Sequence, residues 1–288
     1  MKQYQDIYYQ NKDGLTLYAR DYGAPSDSDL VVLCLHGLTR NSADFEFIAE
    51  HLSKRHRVIC AEQRGRGLSQ WDTDASRYNP QVYVEDMWQL LESISVTQVV
   101  VIGTSMGGLM GMMMAATKPE NIQGLIINDI GPEVAPEGLA RIMGYVGKVK
   151  AAHDWSSAIE QTRLLNQSSF PHYSDQQWQK MAERLYREND QGLPVLAYDP
   201  AIAAPIEASQ KAAVPPDLWP LFSMLSEVPL MAIRGEYSDI LSQACFEKMK
   251  TVLPTMQPVE VPGVGHAPML DEAQSVQAID AFVNRLCE

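Results

Sequence analysis

The sequence predicts an α/β protein, a mostly parallel sheet with helices packed on both faces. Two observations carry that expectation: short continuous apolar runs recur along the chain, and stretches with helical spacing of apolar residues lie between them. The first segments differ. Residues 4–9 and 15–20 are short and partly alternating, separated by Asn11-Lys12-Asp13-Gly14, which reads as a hairpin. The run Leu30-Val31-Val32-Leu33-Cys34-Leu35 follows and ends at His36-Gly37. Continuous apolar runs of this length mark strands buried on both faces of a parallel sheet. Further runs are Val58-Ile59-Cys60-Ala61, Val99-Val100-Val101-Ile102, Leu125-Ile126-Ile127 and Pro229-Leu230-Met231-Ala232-Ile233, with a weaker one at Gln257–Val261. Asn79-Pro80 is a helix entrance, after which Val84, Met87, Trp88, Leu91 and Ile94 recur at helical spacing. Val276, Ile279, Val283 and Leu286 form a similar stripe near the end of the chain.

One region breaks the alternation. From about residue 132 to 222 no buried strand is legible, but helical stretches carry Trp155, Leu164, Leu165, Trp178, Met181 and Leu185. Its second half is proline-rich (Pro194, Pro200, Pro205, Pro215, Pro216, Pro220). The domain reading is therefore a core of residues 1–131 and 223–288, with 132–222 inserted as a helical lid after the strand at Leu125–Ile127.

Composition narrows the function. The 288 residues are 45% hydrophobic and 20% charged, as in a soluble globular protein. Lys plus Arg is 23 against 36 for Asp plus Glu, a formal charge of −13, and no basic cluster offsets it. Nucleic acid and anionic membrane surfaces are excluded as partners, leaving a small-molecule substrate. The apolar stretch around Leu109 to Ala116 is too short to span a bilayer. Met1–Asp6 lacks a signal-peptide core, and Cys34, Cys60, Cys245 and Cys287 have no metal-ligand spacing. A cytoplasmic protein with reduced thiols and neither metal nor cofactor is expected.

Chemistry enters at Gly103-Thr104-Ser105-Met106-Gly107. The bland reading is a serine capping a buried helix. Placed between the Val99–Ile102 strand and a compact apolar helix from Leu109, however, the pattern is a sharp turn that exposes the Ser105 hydroxyl at the sheet's carboxyl edge. A serine nucleophile needs a base. His51 and His56 flank a basic, helix-ending segment and read as solvated. His153 and His172 lie in the insertion, and His36 shapes the turn before Gly37. His266, in Pro262-Gly263-Val264-Gly265-His266-Ala267-Pro268 after the last strand, is the candidate. The acid that orients it must sit past another strand end. Asp239, in Arg234-Gly235-Glu236-Tyr237-Ser238-Asp239, is the preferred residue. Asp129, in Asn128-Asp129-Ile130-Gly131, is the alternative, and chain order cannot choose between them. Glu236 reads as a turn residue. Oxyanion donors are expected from the backbone N–H groups of Met106 and of Leu38, in the His36-Gly37-Leu38-Thr39-Arg40 loop.

Taken together, His36-Gly-Leu, Glu62-Gln-Arg-Gly-Arg-Gly-Leu-Ser69, Gly103-Thr-Ser-Met-Gly-Gly108, Gly235-Glu-Tyr-Ser-Asp239 and Gly265-His266-Ala-Pro resemble the α/β-hydrolase superfamily. The likeness is to lid-bearing bacterial esterases, lactonases and C–C bond hydrolases, and covers nearly all the chain outside the lid. It implies an eight-stranded sheet with the second strand antiparallel. Glu62 departs from the aspartate usual before x-Arg-Gly, in a loop read as structural. Asp129-Ile-Gly-Pro132 matches a recurrent lid entrance, which favours a structural role for that aspartate.

The expected function is a cofactor-free serine hydrolase that cleaves a carboxylic ester or lactone of a small to medium, largely apolar substrate through an acyl-enzyme on Ser105. Lid aromatics and the methionines around Met112–Met114 and Met143 suggest the apolar pocket, although helix-spaced Met is more often core. A C–C hydrolase of a 1,3-dicarbonyl substrate with the same residues is the first rival. It needs positive charge near the pocket, where Arg40 is the basic residue suitably placed; Arg141, Lys148, Lys150 and Arg163 read as solvated helix faces. A non-enzymatic ligand receptor is the second rival. Haloalkane dehalogenase and epoxide hydrolase chemistry would each require an aspartate at position 105.

Overall fold

The computed structural model describes residues 3–23, 30–210 and 217–288. The hairpin is β1 (Gln5–Gln10) and β2 (Thr16–Asp21), closed by the Asn11 side chain, which accepts from the N–H groups of Asp13 and Leu15. Alternation follows: β3 (Val31–Leu35), α1 (Glu46–Leu52), β4 (Arg57–Glu62), α2 (Pro80–Ser93), β5 (Val99–Thr104), α3 (Met106–Thr117) and β6 (Ile122–Asn128). After a long insertion come β9 (Leu230–Gly235), α9 (Gln243–Val252), β10 (Gln257–Val261) and α10 (Ala273–Arg285). The sheet order is β1-β2-β4-β3-β5-β6-β9-β10. β2 runs antiparallel to both its neighbours and every other pairing is parallel. This is the eight-stranded sheet that the sequence resemblance implies.

Double-sided burial explains the apolar runs. Leu33, Leu35, Val101, Leu125 and Ile127 face the core shared with α2 and α3. Their chain neighbours Val32, Cys34, Val100, Ile102 and Ile126 face the core shared with α1 and α10. A strand with period-2 alternation and two apolar neighbours must be apolar at every position. Cys34 and Cys60 stand opposite each other on β3 and β4 and behave as small core side chains. α2 begins where the sequence predicts: the Asn79 side chain accepts from Val82 N–H, and Pro80 opens the first turn.

Between β6 and β9 lie α4 (Pro136–Tyr145), α5 (Trp155–Asn166), α6 (Asp175–Leu185), β7 (Tyr186–Glu188), β8 (Pro194–Leu196), α7 (Ala203–Gln210) and α8 (Trp219–Ser223). Neither β7 nor β8 joins the eight-stranded sheet. Phe170, Trp178, Met181 and Leu185 form a small apolar cluster within it. The β7–β8 ladder was not expected; its strands are three residues each, too short for a periodicity signal. Pro215 and Pro216 of the proline-rich stretch lie outside the described residues. The methionines of α3 prove to be core: Met112 and Met114 are fully buried against the sheet, not exposed to a pocket.

The turn from β5 into α3 is closely packed. A Cβ at Gly107 would lie 1.9 Å from the Leu35 carbonyl oxygen, and one at Gly103 would lie 2.3 Å from the Gly107 carbonyl oxygen. Both clashes are with backbone, so neither relaxes by a rotamer change. Gly107→Ala is therefore expected to destabilise by about 3 kcal/mol or more. Gly144→Ala, near the exposed end of α4 with open space around it, should be neutral or stabilise by about 0.5–1 kcal/mol. Urea unfolding of the two variants checks this, and a Gly107→Ala midpoint equal to wild type would refute the packing argument.

Candidate active site

The site begins with a strained residue. Ser105 lies between β5 and α3 at φ +53°, ψ −117°, a region that side-chain-bearing residues rarely occupy. Its backbone is held there by Ser105 N–H donating to Asn128 O at 2.9 Å and by Leu109 N–H donating to Ser105 O at 3.1 Å. The conformation carries the hydroxyl to the carboxyl edge of the sheet, where the loops after β3, β6, β9 and β10 converge.

His266 lies on the loop after β10. Its Nε2 is 2.9 Å from Ser105 Oγ, so the expected serine–histidine pair is brought together. The loop is clamped to the β9 loop and to the insertion. Tyr237 N–H donates to Val264 O, Gly263 N–H donates to a Glu236 carboxylate oxygen, and Gly265 N–H donates to Ser169 O. Glu236 thus serves the turn, as its sequence position suggests.

The acid is the correction. His266 Nδ1 is 2.8 Å from Asp129 Oδ2, and Asp239 does not take that place. Asp129 follows β6 at φ +58° and is fully buried. Its carboxylate accepts from Gly235 N–H at 2.8 Å and from the Ser238 hydroxyl at 2.7 Å, both neutral donors. Asp239 is instead held by Arg141 of α4, with Nε to Oδ2 at 2.5 Å and Nη2 to Oδ1 at 2.8 Å. Burial works to raise the Asp239 carboxyl, but the Arg141 bond and charge outweigh it and hold the group below the usual aspartate range. Both candidate acids reach the sheet edge. The guanidinium claims one and the histidine the other. Ser238, inside the quoted Gly235–Asp239 motif, was not singled out from sequence, since a serine in a turn has many local uses.

The remaining histidines sort by burial. His36 is wholly buried; Nδ1–H donates to Gly37 O at 2.7 Å and Nε2 accepts from Gln63 N–H at 3.2 Å. Burial lowers its pKa to about 3, against the pull of the Gly37 carbonyl, so it is a neutral brace for the loop after β3. His56 is not solvated as expected but 8% exposed, and burial lowers its pKa. His51 pairs with Asp280 of α10, while His153 and His172 are exposed. Glu62 does structural duty: it accepts from Ser42 Oγ at 2.6 Å and from Leu68 N–H, and its carboxylate fills the space where Gly67 would carry a Cβ.

Leu38 and Met106 sit on either side of Ser105. Met106 opens α3, so its N–H lacks a carbonyl partner within the helix. Leu38 follows Gly37, where a Cβ would come within 3.7 Å of Ser105 Cβ, and Leu38 O accepts from Arg66 Nε at 2.9 Å. A cavity opens over this edge. The loop after β3 contributes Leu38 and Arg40, and the insertion contributes Ile142, Tyr145, Leu165, Phe170 and Leu185; Ser105 and His266 lie at its floor. Arg141 also lines the cavity, which corrects its reading as a solvated helix residue; Arg40 does so too, with both its Nε and Nη2 engaged by Asp44. Among the described residues no cluster could hold a metal ion, and no helix is long and apolar enough to cross a membrane.

Residues 31–273 match the family described as the alpha/beta hydrolase fold, and the chain belongs to it. It is similar to the 3-hydroxybutyrate-oligomer hydrolase of Cupriavidus necator, 34% identical with 91% of each chain covered. It is also similar to the 2-(acetamidomethylene)succinate hydrolase of Mesorhizobium japonicum, 28% identical over 88% of this chain and 85% of that one. Among solved structures, an alpha/beta hydrolase from Novosphingobium aromaticivorans superposes with a TM-score of 0.93, at 41% identity and 99% coverage of both chains.

The geometry reverses the order in which the two aspartates should matter. Asp129→Asn is expected to lower kcat by about 10³- to 10⁴-fold, because an amide cannot stabilise the imidazolium and disturbs the tautomer. Asp239→Asn should cost at least a hundredfold less. Steady-state kinetics on the two folded variants decides it, and a more damaging Asp239→Asn would restore that residue as the acid.

Proposed function

We propose that this member of the alpha/beta hydrolase fold family cleaves carboxylic esters through an acyl-enzyme on Ser105. The observation that carries the reading is the continuous chain Ser105 Oγ–His266 Nε2–Asp129 Oδ2, at 2.9 and 2.8 Å. His266 takes the Ser105 proton as Oγ bonds to the ester carbonyl carbon, and Asp129 stabilises the imidazolium that results. The backbone N–H groups of Leu38 and Met106 receive the oxyanion. Collapse of the tetrahedral adduct breaks the bond to the alcohol oxygen, which leaves with the proton from His266. Water then gives a proton to His266 and adds to the acyl carbon. The second collapse returns the proton to Ser105 Oγ and releases the acid.

Ester chemistry is favoured by two considerations. The site couples an activated hydroxyl to an apolar cavity, and a relative 34% identical over 91% of the chain is a hydrolase of 3-hydroxybutyrate oligomers, whose units are joined as esters. Lactones fall within the same chemistry. Residues 132–222 act as the lid in this reading, since they supply much of the cavity wall and so set the acyl and alcohol groups accepted. C–C bond cleavage of a 1,3-dicarbonyl substrate is the second reading, favoured by the two guanidinium groups that line the cavity.

A fluorophosphonate should add one label, at Ser105, and Ser105→Ala should abolish that label together with at least about 10⁴-fold of the turnover of short-chain p-nitrophenyl esters. Mass spectrometry of the intact and digested protein locates the label. Labelling that survives Ser105→Ala would remove the nucleophile. A ring-fission dienoate preferred a hundredfold over every ester and lactone would overturn the ester assignment, and a labelled protein inert towards all of these substrates would favour a receptor.

A further inference from the structure

Arg141 is one turn before Tyr145 on α4, and both side chains line the cavity above Ser105. Asp239 does not line it. The carboxylate therefore engages the guanidinium from outside the cavity, through Nε and Nη2, and fixes the direction in which Arg141 faces inward. The pair is only partly covered, with side chains 23% and 32% exposed. Arg40 is different. It is tied to Asp44 four residues on, both side chains are more covered at 17% and 15%, and Asp44 itself lines the cavity, so that guanidinium meets its counter-charge inside the site. Arg141 is thus the cation in the cavity wall whose counter-ion stands outside. Ile142, Val149, Leu165 and Phe170 line the same cavity, and Tyr145 shares a side-chain hydrogen bond with the guanidinium. A guanidinium in such a wall attracts an anion more strongly than it would in water, and its planar fork suits a carboxylate. The site also places this charge near the reaction. Asp239 lies one residue past Ser238, whose hydroxyl donates to the Asp129 carboxylate beside His266, and α4 packs on the Asp239 backbone, where a Cβ at Gly138 would lie 2.2 Å from Asp239 O.

We propose that Arg141 binds a free carboxylate of the substrate, so that the enzyme selects esters of hydroxy acids with an ionised acid end over neutral esters of the same size. This rests on the ester-hydrolase reading above and names its substrate class. Asp239 is a positioning residue for Arg141 in this scheme, and the acyl-enzyme chemistry is unchanged.

The test compares the linear dimer of 3-hydroxybutyrate with its methyl ester, in which the acid end is capped and uncharged, and reads cleavage of the internal ester alone by product analysis. Wild-type kcat/KM should favour the free acid by tenfold or more, with the preference shrinking as salt is raised. In Arg141→Gln the acid-to-methyl-ester ratio should fall by at least tenfold, chiefly through KM, and Arg141→Lys should restore part of it. If Arg141→Gln is unstable because it leaves Asp239 without its partner, the double variant Arg141→Gln/Asp239→Asn replaces the ion pair with an amide pair and serves instead. A wild-type enzyme that cleaves the methyl ester as well as the acid overturns the proposal and leaves the ester reading standing. So does a ratio unmoved by loss of Arg141. Failure to cleave either compound, or any other ester, removes the ester reading and this inference with it.

Discussion

The close approach of α3 to the end of β3 governs the site. Gly107 lies against the Leu35 carbonyl, and Gly103 against the carbonyl of Gly107, so the chain must reverse from strand to helix within a few residues. Ser105 takes up that reversal at positive φ. The strain is held by ordinary backbone bonds, among them Ser105 N–H to Asn128 O. That bond has a second consequence. It ties the serine to the last residue of β6, and the next residue along is Asp129. Ser105 and Asp129 are thereby fixed to each other through two adjacent strands before His266 is considered. His266 has then to be brought between them from the far loop, and the bonds that clamp the β10 loop to the β9 loop do this.

Two aspartates reach this edge from neighbouring strands, and their surroundings give them opposite tasks. Asp129 is buried among neutral donors, Gly235 N–H and the Ser238 hydroxyl, so its negative charge is solvated but not cancelled. In the proposed chemistry an imidazolium developing at His266 would meet that carboxylate in a medium that screens it weakly. Asp239 is instead held through both its carboxylate oxygens by the Arg141 guanidinium.

What the sequence makes legible follows the same physics. The strands are legible because sheet residues buried on both faces must be apolar throughout, and the α2 entrance because Asn79-Pro80 leaves few alternatives. Ser105 and His266 are legible because each sits in a glycine-built turn after an apolar run. The acid was not, and the reason is specific. Asp129 and Asp239 both follow strands, both precede His266, and both keep the same chain order. The residue that separates them is Arg141, 98 positions from Asp239 and in the segment with the weakest pattern. Long-range pairing of that kind leaves no local trace. For the same reason Arg141 read as a solvated helix residue, when α4 in fact turns it toward the cavity. His56 misled in the opposite sense: its basic neighbours suggested solvent, but only the packing of the surrounding elements decides how deeply a residue at a helix end is buried.

Helix α4 joins the two halves of the site. Gly138 brings its backbone against the Asp239 carbonyl, Ala135 N–H donates to Ile240 O, and Arg141 reaches the Asp239 side chain. All three contacts fall on the short loop that also supplies Gly235 and Ser238 to Asp129. The loop therefore faces two ways: one end positions the acid of the proposed chemistry and the other positions the wall of the cavity. A displacement of α4 would be felt at Asp239 and passed through a few residues to the Asp129–His266 bond. Groups held by rigid elements and supported by neighbouring hydrogen bonds keep their geometry better than groups on free loops. Anchoring the first helix of the insertion on this loop places Arg141 at a fixed offset from Ser105, and that offset, more than the cavity's apolar lining, is what would determine how far from an ester carbonyl a substrate's charge must lie.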